Sequence, residues 1–232
     1  MPISLSLLIG TSPPFIHSPR SQLIPVTRIN TYTRGSQRVK WNVAASADGN
    51  LIDLSSGREL SYLFWEAVSH YSPPSPSLSA IDGLTNQAST AFNPSRPILN
   101  SNNSILLPFT EFIAYLDDTL KLLILHVSAR NDFITYWLPH FVAIHEKGQS
   151  ISMRFLEQVD YEKAAILDIT PLPDFVIRVF MLFKGVDSDE IGWEEAKERV
   201  GIIDWRVVVG IKEDFLDLEK FRVLEWGGME VV

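Results

Sequence analysis

The sequence contains no cysteine, which excludes a disulfide framework, a thiol nucleophile and any site where cysteines hold zinc or an iron–sulfur cluster. No apolar run reaches the length of about eighteen residues that a membrane-spanning helix needs. The motifs Gly-x-Ser-x-Gly and Gly-x-Gly-x-x-Gly and the glycine-rich phosphate loop are also missing. We therefore predict no membrane span and no bound cofactor.

Negative charge is unevenly distributed along the chain. The net charge is −8; residues 1–108 contribute +2 (7 basic against 5 acidic) and residues 109–232 contribute −10 (13 basic against 23 acidic). An acidic surface repels phosphate backbones, so the predicted partner is a small molecule or a protein, not a nucleic acid. The apolar run Ile3–Ile9 follows no Lys or Arg, unlike a secretory signal, which favours a cytoplasmic location and leaves secretion open.

The composition is typical of a globular chain, with 46% hydrophobic and 21% charged residues. Val39–Ala45 alternates apolar and other residues at the period of a half-buried strand. Leu51–Leu54 and Glu59–Glu66 follow after turns rich in Gly, Asn and Ser, which predicts a meander of β-hairpins. Residues 1–24 are predicted to form a poorly ordered segment before a single domain over residues 25–232.

Residues 71–108 differ in composition from the rest of the chain. They are rich in Ser, Pro, Asn and Thr, they show no apolar period, and their prolines lack the backbone donors that a helix or sheet needs. We predict a flexible insertion within one domain.

Two amphipathic helices are predicted after this insertion. The first has apolar residues at i, i+3 and i+4 spacing from Phe109 to Leu123, with Thr110 as its N-cap. The second has Ser128 as its N-cap and ends at Pro139, since proline disfavours a helical residue before it. The short joint predicts that the two helices pack as an αα-hairpin.

The C-terminal third is predicted to supply the remaining strands. Ser150–Phe155 alternates cleanly, and Phe175–Phe183 is apolar except for Arg178, as in a central strand covered on both faces. We also predict one or two helical turns over Tyr161–Ile166 with Asp160 as the cap, and a surface helix at Asp189–Arg199 capped by Ser188. Strands are predicted at Asp204–Ile211 and Phe221–Trp226, and a turn or bulge at Gly227-Gly228. The predicted fold class is α+β, a mostly antiparallel sheet packed against a helical hairpin, with a disordered Ser/Pro/Asn-rich insertion.

Arg178 interrupts an apolar strand, where an unpaired charge would be costly. We predict that it pairs with Glu225 or Glu66, each of which lies next to a tryptophan at a predicted strand end. A buried ion pair that fixes strand register is one interpretation, and a clamp for an anionic ligand is the other. If Glu66 and Glu225 lie close together, they are also candidates for a general acid and base.

Several aromatic residues are candidates for a ligand-binding surface, although each is also a candidate for the core. With the charged residues above, the candidate ligand-binding set is Trp65, Glu66, Tyr136, Trp137, Arg178, Glu225 and Trp226. The leading hypothesis is a non-catalytic binding or interaction domain. The alternative is a hydrolase or lyase that uses Glu66 and Glu225 as acid and base and Arg178 as the anion clamp.

No metal site is predicted. His140 and His145 follow the predicted end of the second helix and have no third ligand at a recognisable spacing, so we interpret them as solvated loop residues. The acidic stretch Asp187–Glu190 lacks the glycine and the terminal Glu of a calcium loop. Acidic residues at a helix start complement the helix dipole, which explains this stretch without a cation.

Four motifs occur in order along the chain: Tyr62-Leu63-Phe64-Trp65-Glu66, Phe133-Ile134-Thr135-Tyr136-Trp137-Leu138-Pro139, Ile169-Thr170-Pro171-Leu172-Pro173-Asp174 with Arg178-Val179-Phe180-Met181, and Val223-Leu224-Glu225-Trp226-Gly227-Gly228. With them the chain resembles an uncharacterised family of fungal proteins that has similar-looking bacterial members. The resemblance covers most of residues 39–68 and 106–231 and implies no activity, cofactor or catalytic residue. Members of that family tend to open with a Lys-Pro-Val-Ile-Tyr-Leu-Tyr-Pro-like strand and a further hairpin. Residues 12–17 and 34–38 stand in their place here, which predicts a missing or poorly formed edge strand.

Overall fold

A computed structural model gives the chain an α+β fold with two larger, mostly antiparallel sheets and a two-stranded ladder. It describes residues 2–9, 15–16, 30–32, 36–46, 49–65, 67–68, 92–217 and 219–231. The chain divides into two compact units, the first Met1–Arg96 with Glu162–Pro173 and the second Pro97–Tyr161 with Asp174–Val232. The single domain predicted over residues 25–232 stays a prediction. Among the described helices, none combines the length and hydropathy that crossing a bilayer requires.

The elements are numbered in chain order. The strands are β1 (Pro2–Ile9), β2 (Phe15–Ile16), β3 (Asn30–Tyr32), β4 (Ser36–Ala45), β5 (Leu51–Asp53), β6 (Glu59–Leu60), β7 (Ala67–Val68), β8 (Ile105–Leu107), β9 (Ser150–Phe155), β10 (Ala165–Thr170), β11 (Phe175–Val186) and β12 (Arg222–Glu230). The helices are α1 (Phe109–Leu122), α2 (Val127–Glu146), α3 (Gln158–Ala164), α4 (Glu194–Glu198) and α5 (Trp205–Val209), with a 3-10 turn at Glu213–Leu216.

The first unit is built on an antiparallel sheet with the order β10-β1-β4-β5-β6, in which β3 also pairs with β4. The alternation predicted for β4 is confirmed, because Val39, Trp41 and Val43 are buried on one face of the sheet. The strand predicted over Glu59–Glu66 is shorter than expected and ends at Leu60. Its partner β5 begins at Leu51, which pairs with Leu60, so β5 has no residue left to extend the ladder.

The start of the chain contains a strand, and the prediction of a poorly ordered segment over residues 1–24 stays a prediction. Pro2–Ile9 forms β1, which pairs with β4 on one side and β10 on the other. The apolar run Ile3–Ile9 therefore lies in a strand, and both strands that pair with it come much later in the chain. Apart from Phe15–Ile16, which forms β2, residues 10–24 lie outside the described residues.

The second unit contains the sheet β12-β11-β9-β8, with β11 and β12 parallel and the other pairs antiparallel. The predicted central strand is confirmed as β11, which lies between β12 and β9. One face of β11 carries Ile177, Val179, Met181 and Phe183 into the main hydrophobic core, where they meet apolar residues of α1, α2 and α5. The smaller helix α4 packs Ala196 with Trp193, Leu106 and Val186 in a second cluster.

The predicted helical hairpin is confirmed, because α1 and α2 pack together, but its ends differ from the prediction. Pro108 takes the N-cap position of α1 and makes no side-chain cap bond, so Thr110 is not the cap. In α2 the cap is His126, whose Nδ1 accepts from the amide of Ala129, so Ser128 lies inside the helix. Pro139 also lies inside α2, which continues to Glu146.

Two predicted elements near the C-terminus are wrong. The helix expected over Asp189–Arg199 with Ser188 as cap is only the short α4, although the Glu195–Arg199 ion pair forms at 3.3 Å. The strand expected over Asp204–Ile211 is the helix α5, because the Asp204 carboxylate accepts from the amides of Arg206 and Val207. The β-branched residues of α5 favour a strand locally. This N-cap and the burial of Trp205 and Val209, one helical turn apart, override that preference.

Ordered backbone also appears where none was expected. The flexible insertion predicted over residues 71–108 is wrong at its C-terminal end, because Ile105–Leu107 forms the buried strand β8. Residues 71–91 lie outside the described residues. The short helix predicted over Tyr161–Ile166 is α3, but it begins at Gln158 and ends at Ala164, so Asp160 lies inside it and is not its cap. The strand β10 that follows α3 was not predicted.

Candidate functional site

Arg178 and Glu225 are direct neighbours on the parallel strands β11 and β12. The Arg178 Nε donates to Glu225 Oε2 in an ion pair, and the Arg178 side chain is only 1% exposed. Glu225 is one of the two partners predicted for this arginine; the other, Glu66, lies outside the described residues. The pair lies on the sheet face opposite α1, α2 and α5, because those helices pack on the odd-numbered residues of β11.

Tyr161 of α3 covers this ion pair. Its hydroxyl donates to Glu225 Oε1 over 3.3 Å, and its ring lies 4.5 Å from the Arg178 guanidinium carbon. The ring also stacks on Phe180 with the centroids 4.5 Å apart. Burial raises the pKa of Tyr161 well above 10.0, and the negative charge of Glu225 raises it further. Tyr161 is therefore a neutral donor at physiological pH and not a base.

The side-chain amide of Gln158 makes the hydrogen bonds that a neighbouring strand would make to the β11 backbone beside Arg178. Its Oε1 accepts from the Arg178 amide at 3.0 Å, and its Nε2 donates to the Val176 carbonyl at 3.0 Å. Pairing between β9 and β11 ends at Phe155 opposite Met181. The carboxamide has the same donor and acceptor as a peptide group, so it satisfies the β11 backbone that β9 does not reach.

On the sheet face that carries α1 and α2, α2 runs along β12 in a regular register. Phe133 packs on Trp226 with ring centroids 5.6 Å apart, Trp137 lies against Gly228, and His140 Nδ1 lies 2.7 Å from Glu230 Oε2. We call these six residues the α2–β12 seam. Residues 133, 137 and 140 share one helix face, and residues 226, 228 and 230 share one strand face, so the two periods place each pair together.

The turn or bulge predicted at Gly227-Gly228 does not form. The last strand continues through Gly227-Gly228 and ends at Glu230. A Cβ at Gly228 would lie 3.0 Å from the Met181 carbonyl oxygen and 3.2 Å from the Trp137 indole, whereas a Cβ at Gly227 would lie 3.4 Å from Phe180. Gly228 is therefore required for the close approach of Trp137 to the strand.

Trp137 is surrounded by rings on α2 and β11. The ring centroids of Tyr136, His140 and Phe183 lie 4.9, 5.2 and 5.2 Å from that of Trp137, all in edge-to-face arrangements. The buried indole N–H of Trp137 has no hydrogen-bond partner among the described residues. Tyr136 is 38% exposed, and the side chains of His140 and Glu230 are 46% and 29% exposed. The end of the seam at His140 and Glu230 thus presents aromatic and polar groups at the surface.

The structure brings some of the predicted site residues together and not others. Arg178 forms an ion pair with Glu225 on one face of the sheet. On the other face, the Tyr136 ring contacts that of Trp137, and Trp226 packs on Phe133. Trp65 belongs to the first unit, where it is half-buried after β6.

Sequence reasoning missed Gln158, Tyr161, His140 and Glu230 as parts of these two clusters. His140 follows Trp137 by three residues, which is a signal for a shared helix face. The assumption that Pro139 ends the helix hid that signal.

No metal site emerges from the described residues. They contain no group of three or more His, Asp and Glu side chains that could hold a metal ion. His140 and His145 both lie within α2 and not in a loop; His145 stacks on Phe109 at 4.9 Å. In the acidic stretch, Asp187 accepts from Gln149 and Glu190 accepts from the Trp193 indole. The arrangement offers surfaces for binding through stacking and hydrogen bonds.

Comparisons with known proteins add no identity to this geometry. No protein-family model, no curated protein and no solved structure matches the chain. The function therefore has to be argued from the two clusters themselves.

Proposed function

We propose that this chain is a non-catalytic binding domain whose ligand lies against the exposed end of the α2–β12 seam. The observation that carries the proposal is the exposed Tyr136 ring next to Trp137, beside the solvent-accessible His140–Glu230 pair. Aromatic rings offer large contact area at low entropic cost, and the imidazole and carboxylate supply a donor and acceptors at its rim. We also propose that the chain belongs to the fungal family that its four motifs resemble.

The alternative function, a hydrolase or lyase built on Glu66, Glu225 and Arg178, has weaker support. A clamp for an anionic ligand needs a guanidinium that the ligand can reach, and the Arg178 side chain is almost fully buried. Its Nε is engaged by Glu225, whose other oxygen accepts from Tyr161. A carboxylate held in this way balances a buried charge, which is a sufficient structural reason for its presence.

A ligand screen on matched variants tests the proposal. Small molecules, oligosaccharides and short peptides are screened by thermal shift on the wild type, Tyr136→Ala and Val127→Ala. Val127 is a suitable control because it is an exposed apolar residue on the same helix, more than two turns away. A ligand present at a hundred times its Kd stabilises the wild type by about 2.7 kcal/mol, which raises Tm by about 5–10 °C for a chain of this size.

The expected result is a shift in the wild type and in Val127→Ala that is lost in Tyr136→Ala. A ligand that shifts all three proteins equally would place its site elsewhere. Conversion of a ligand to product by the wild type, and not by Glu225→Gln, would favour the enzyme alternative.

A further inference from the structure

An open groove of about 570 Å³ lies between α1 and α2. On α2 it is lined by residues 130, 131, 134 and 135, which lie roughly a third of a turn around the helix from the seam residues 133, 137 and 140. The groove is therefore a surface separate from the site proposed above. Its volume falls in the range of pockets that hold small molecules, about 300–1,000 Å³.

The charges that line the groove compensate each other. Asp117 and Arg130 line it from opposite helices, with Arg130 Nε 2.8 Å from Asp117 Oδ1. Arg130 Nη1 also donates to the Leu125 carbonyl at 3.2 Å. The other lining residues carry no ionisable side chain. A ligand with a net charge would find no uncompensated partner here, so electrostatics favour a neutral one.

The remaining polar groups suit a ligand with many hydroxyls. Thr110, Asn131 and Thr135 line the groove and are exposed, and they offer two hydroxyls and a carboxamide that both donate and accept. The Asp117 carboxylate is 42% exposed, so it can still accept hydrogen bonds from solvent or ligand.

The apolar part of the groove suits the carbon skeleton of such a ligand. Ile113, Ala114 and Ile134 line the groove between the polar groups, and Ile113 and Ile134 are held in place because they pack against the main core. Thr110 and Asp117 are seven residues apart on α1, a distance of about 10 Å along the helix axis. That length accommodates one or two sugar rings.

We propose that the α1–α2 groove binds a neutral polyhydroxylated molecule, namely a mono- or disaccharide or a related polyol. The hydroxyls meet the threonines, the asparagine and the Asp117–Arg130 pair, and the C–H face of the ring lies on the isoleucines and Ala114. This inference does not depend on the function proposed for the seam, because the two surfaces share no residue.

The test is a titration of the full chain with glucose, mannose, galactose, maltose, trehalose and sorbitol, followed by ligand-observed NMR and calorimetry. Glucuronate and glucosamine serve as charged counterparts. The variant Ala114→Trp fills the groove from an exposed helix position, and Asn131→Ala removes the carboxamide. Tyr136→Ala is the control, since it alters the seam and not the groove. Circular dichroism establishes that each variant is folded.

We expect at least one neutral sugar or polyol to bind the wild type and Tyr136→Ala alike. Its affinity should fall at least tenfold in Ala114→Trp and about threefold to tenfold in Asn131→Ala, in line with the loss of a hydrogen bond to a neutral group. The inference is overturned if no neutral compound binds, if the charged counterparts bind more tightly, or if folded Ala114→Trp binds like the wild type. Binding that is lost only in Tyr136→Ala would support the seam as a site and would overturn the groove.

Discussion

The two glycines of β12 offer a matched pair of substitutions. In Gly228→Ala the new Cβ meets the Met181 carbonyl oxygen at 3.0 Å and the Trp137 indole at 3.2 Å. In Gly227→Ala the nearest atom, on the Phe180 ring, is 3.4 Å away, which is an ordinary contact. Neither glycine has a positive φ, so alanine is compatible with the backbone at both positions. The pair therefore isolates the effect of packing.

The expected magnitudes follow from how firmly the neighbours are held. Carbon atoms pack best at about 3.5–4.0 Å, so at Gly228 either Met181 or Trp137 must move. Met181 pairs with Phe155 of β9 on one side and with Gly228 itself on the other. Neither the Met181 carbonyl oxygen nor the Trp137 ring can therefore move without a cost in free energy. Overpacking of this kind costs about 1–3 kcal/mol. Replacing glycine with alanine also restricts the unfolded chain, which contributes about 0.4–1 kcal/mol of stability to both variants.

Urea unfolding followed by tryptophan fluorescence and by far-UV circular dichroism measures both variants against the wild type. We expect Gly228→Ala to lower the free energy of unfolding by up to about 2.6 kcal/mol and Gly227→Ala to leave it unchanged or to raise it slightly, so that the two variants differ by about 1–3 kcal/mol. The near-UV dichroism of the ring cluster around Trp137 should change only in Gly228→Ala. The reasoning is refuted if Gly228→Ala is as stable as Gly227→Ala.

Three further predictions concern the titratable groups. Glu225→Gln removes the counter-charge of a buried arginine and should cost about 3–5 kcal/mol, whereas the apolar double variant Arg178→Met/Glu225→Leu should recover most of that loss in urea unfolding; equal stability of the single and double variants would contradict the ion pair's role. Burial works against the ionised form of Asp53, but hydrogen bonds from Ser55 and Ser56 outweigh it and lower its pKa below 3.8. The contribution of ionised Asp53 to the free energy of unfolding is therefore present above about pH 4 and is lost as the pH falls through the lower folded pKa. In acid unfolding curves the difference in stability between the wild type and Asp53→Asn should therefore narrow; a constant difference would contradict this. The raised pKa of Tyr161 acts in the opposite pH direction. Its contribution to the free energy of unfolding is complete below pH 10.0 and is lost as the pH rises above that value. Alkaline unfolding should therefore be shallower in Tyr161→Phe, and parallel curves would argue against a buried neutral phenol.

The strands and helices with a clear period were predictable from the sequence. Alternation in Ser150–Phe155 and the apolar run of Phe175–Phe183 correspond to β9 and β11, and the helical spacing after Phe109 corresponds to α1. Burial of one face imposes an alternating or helical period, and burial of both faces imposes a continuous apolar run, so both are visible in local sequence. The need of Arg178 for a carboxylate was predictable for the same local reason, since an apolar strand cannot hold a lone charge.

Elements whose form depends on distant contacts were not predictable in this way. The residues of α5 favour a strand, and the Asp204 cap with the burial of Trp205 and Val209 makes them a helix. The strand β1 exists because β4 and β10 pair with it from far along the chain. Pro139 suggested a helix end, yet α2 continues past it along β12.

The same distinction applies to the candidate sites. The sequence alone determined that Arg178 required a charged partner and that Tyr136, Trp137 and Trp226 were candidates for a surface. The tertiary structure decided that Glu225 is that partner and that Gly228 makes room for Trp137. It also decided that α1 and α2 enclose the groove. The first two outcomes depend on the pairing of the parallel strands and on the register between α2 and β12, which arise from packing between residues far apart in the chain. The groove depends on how α1 packs against α2.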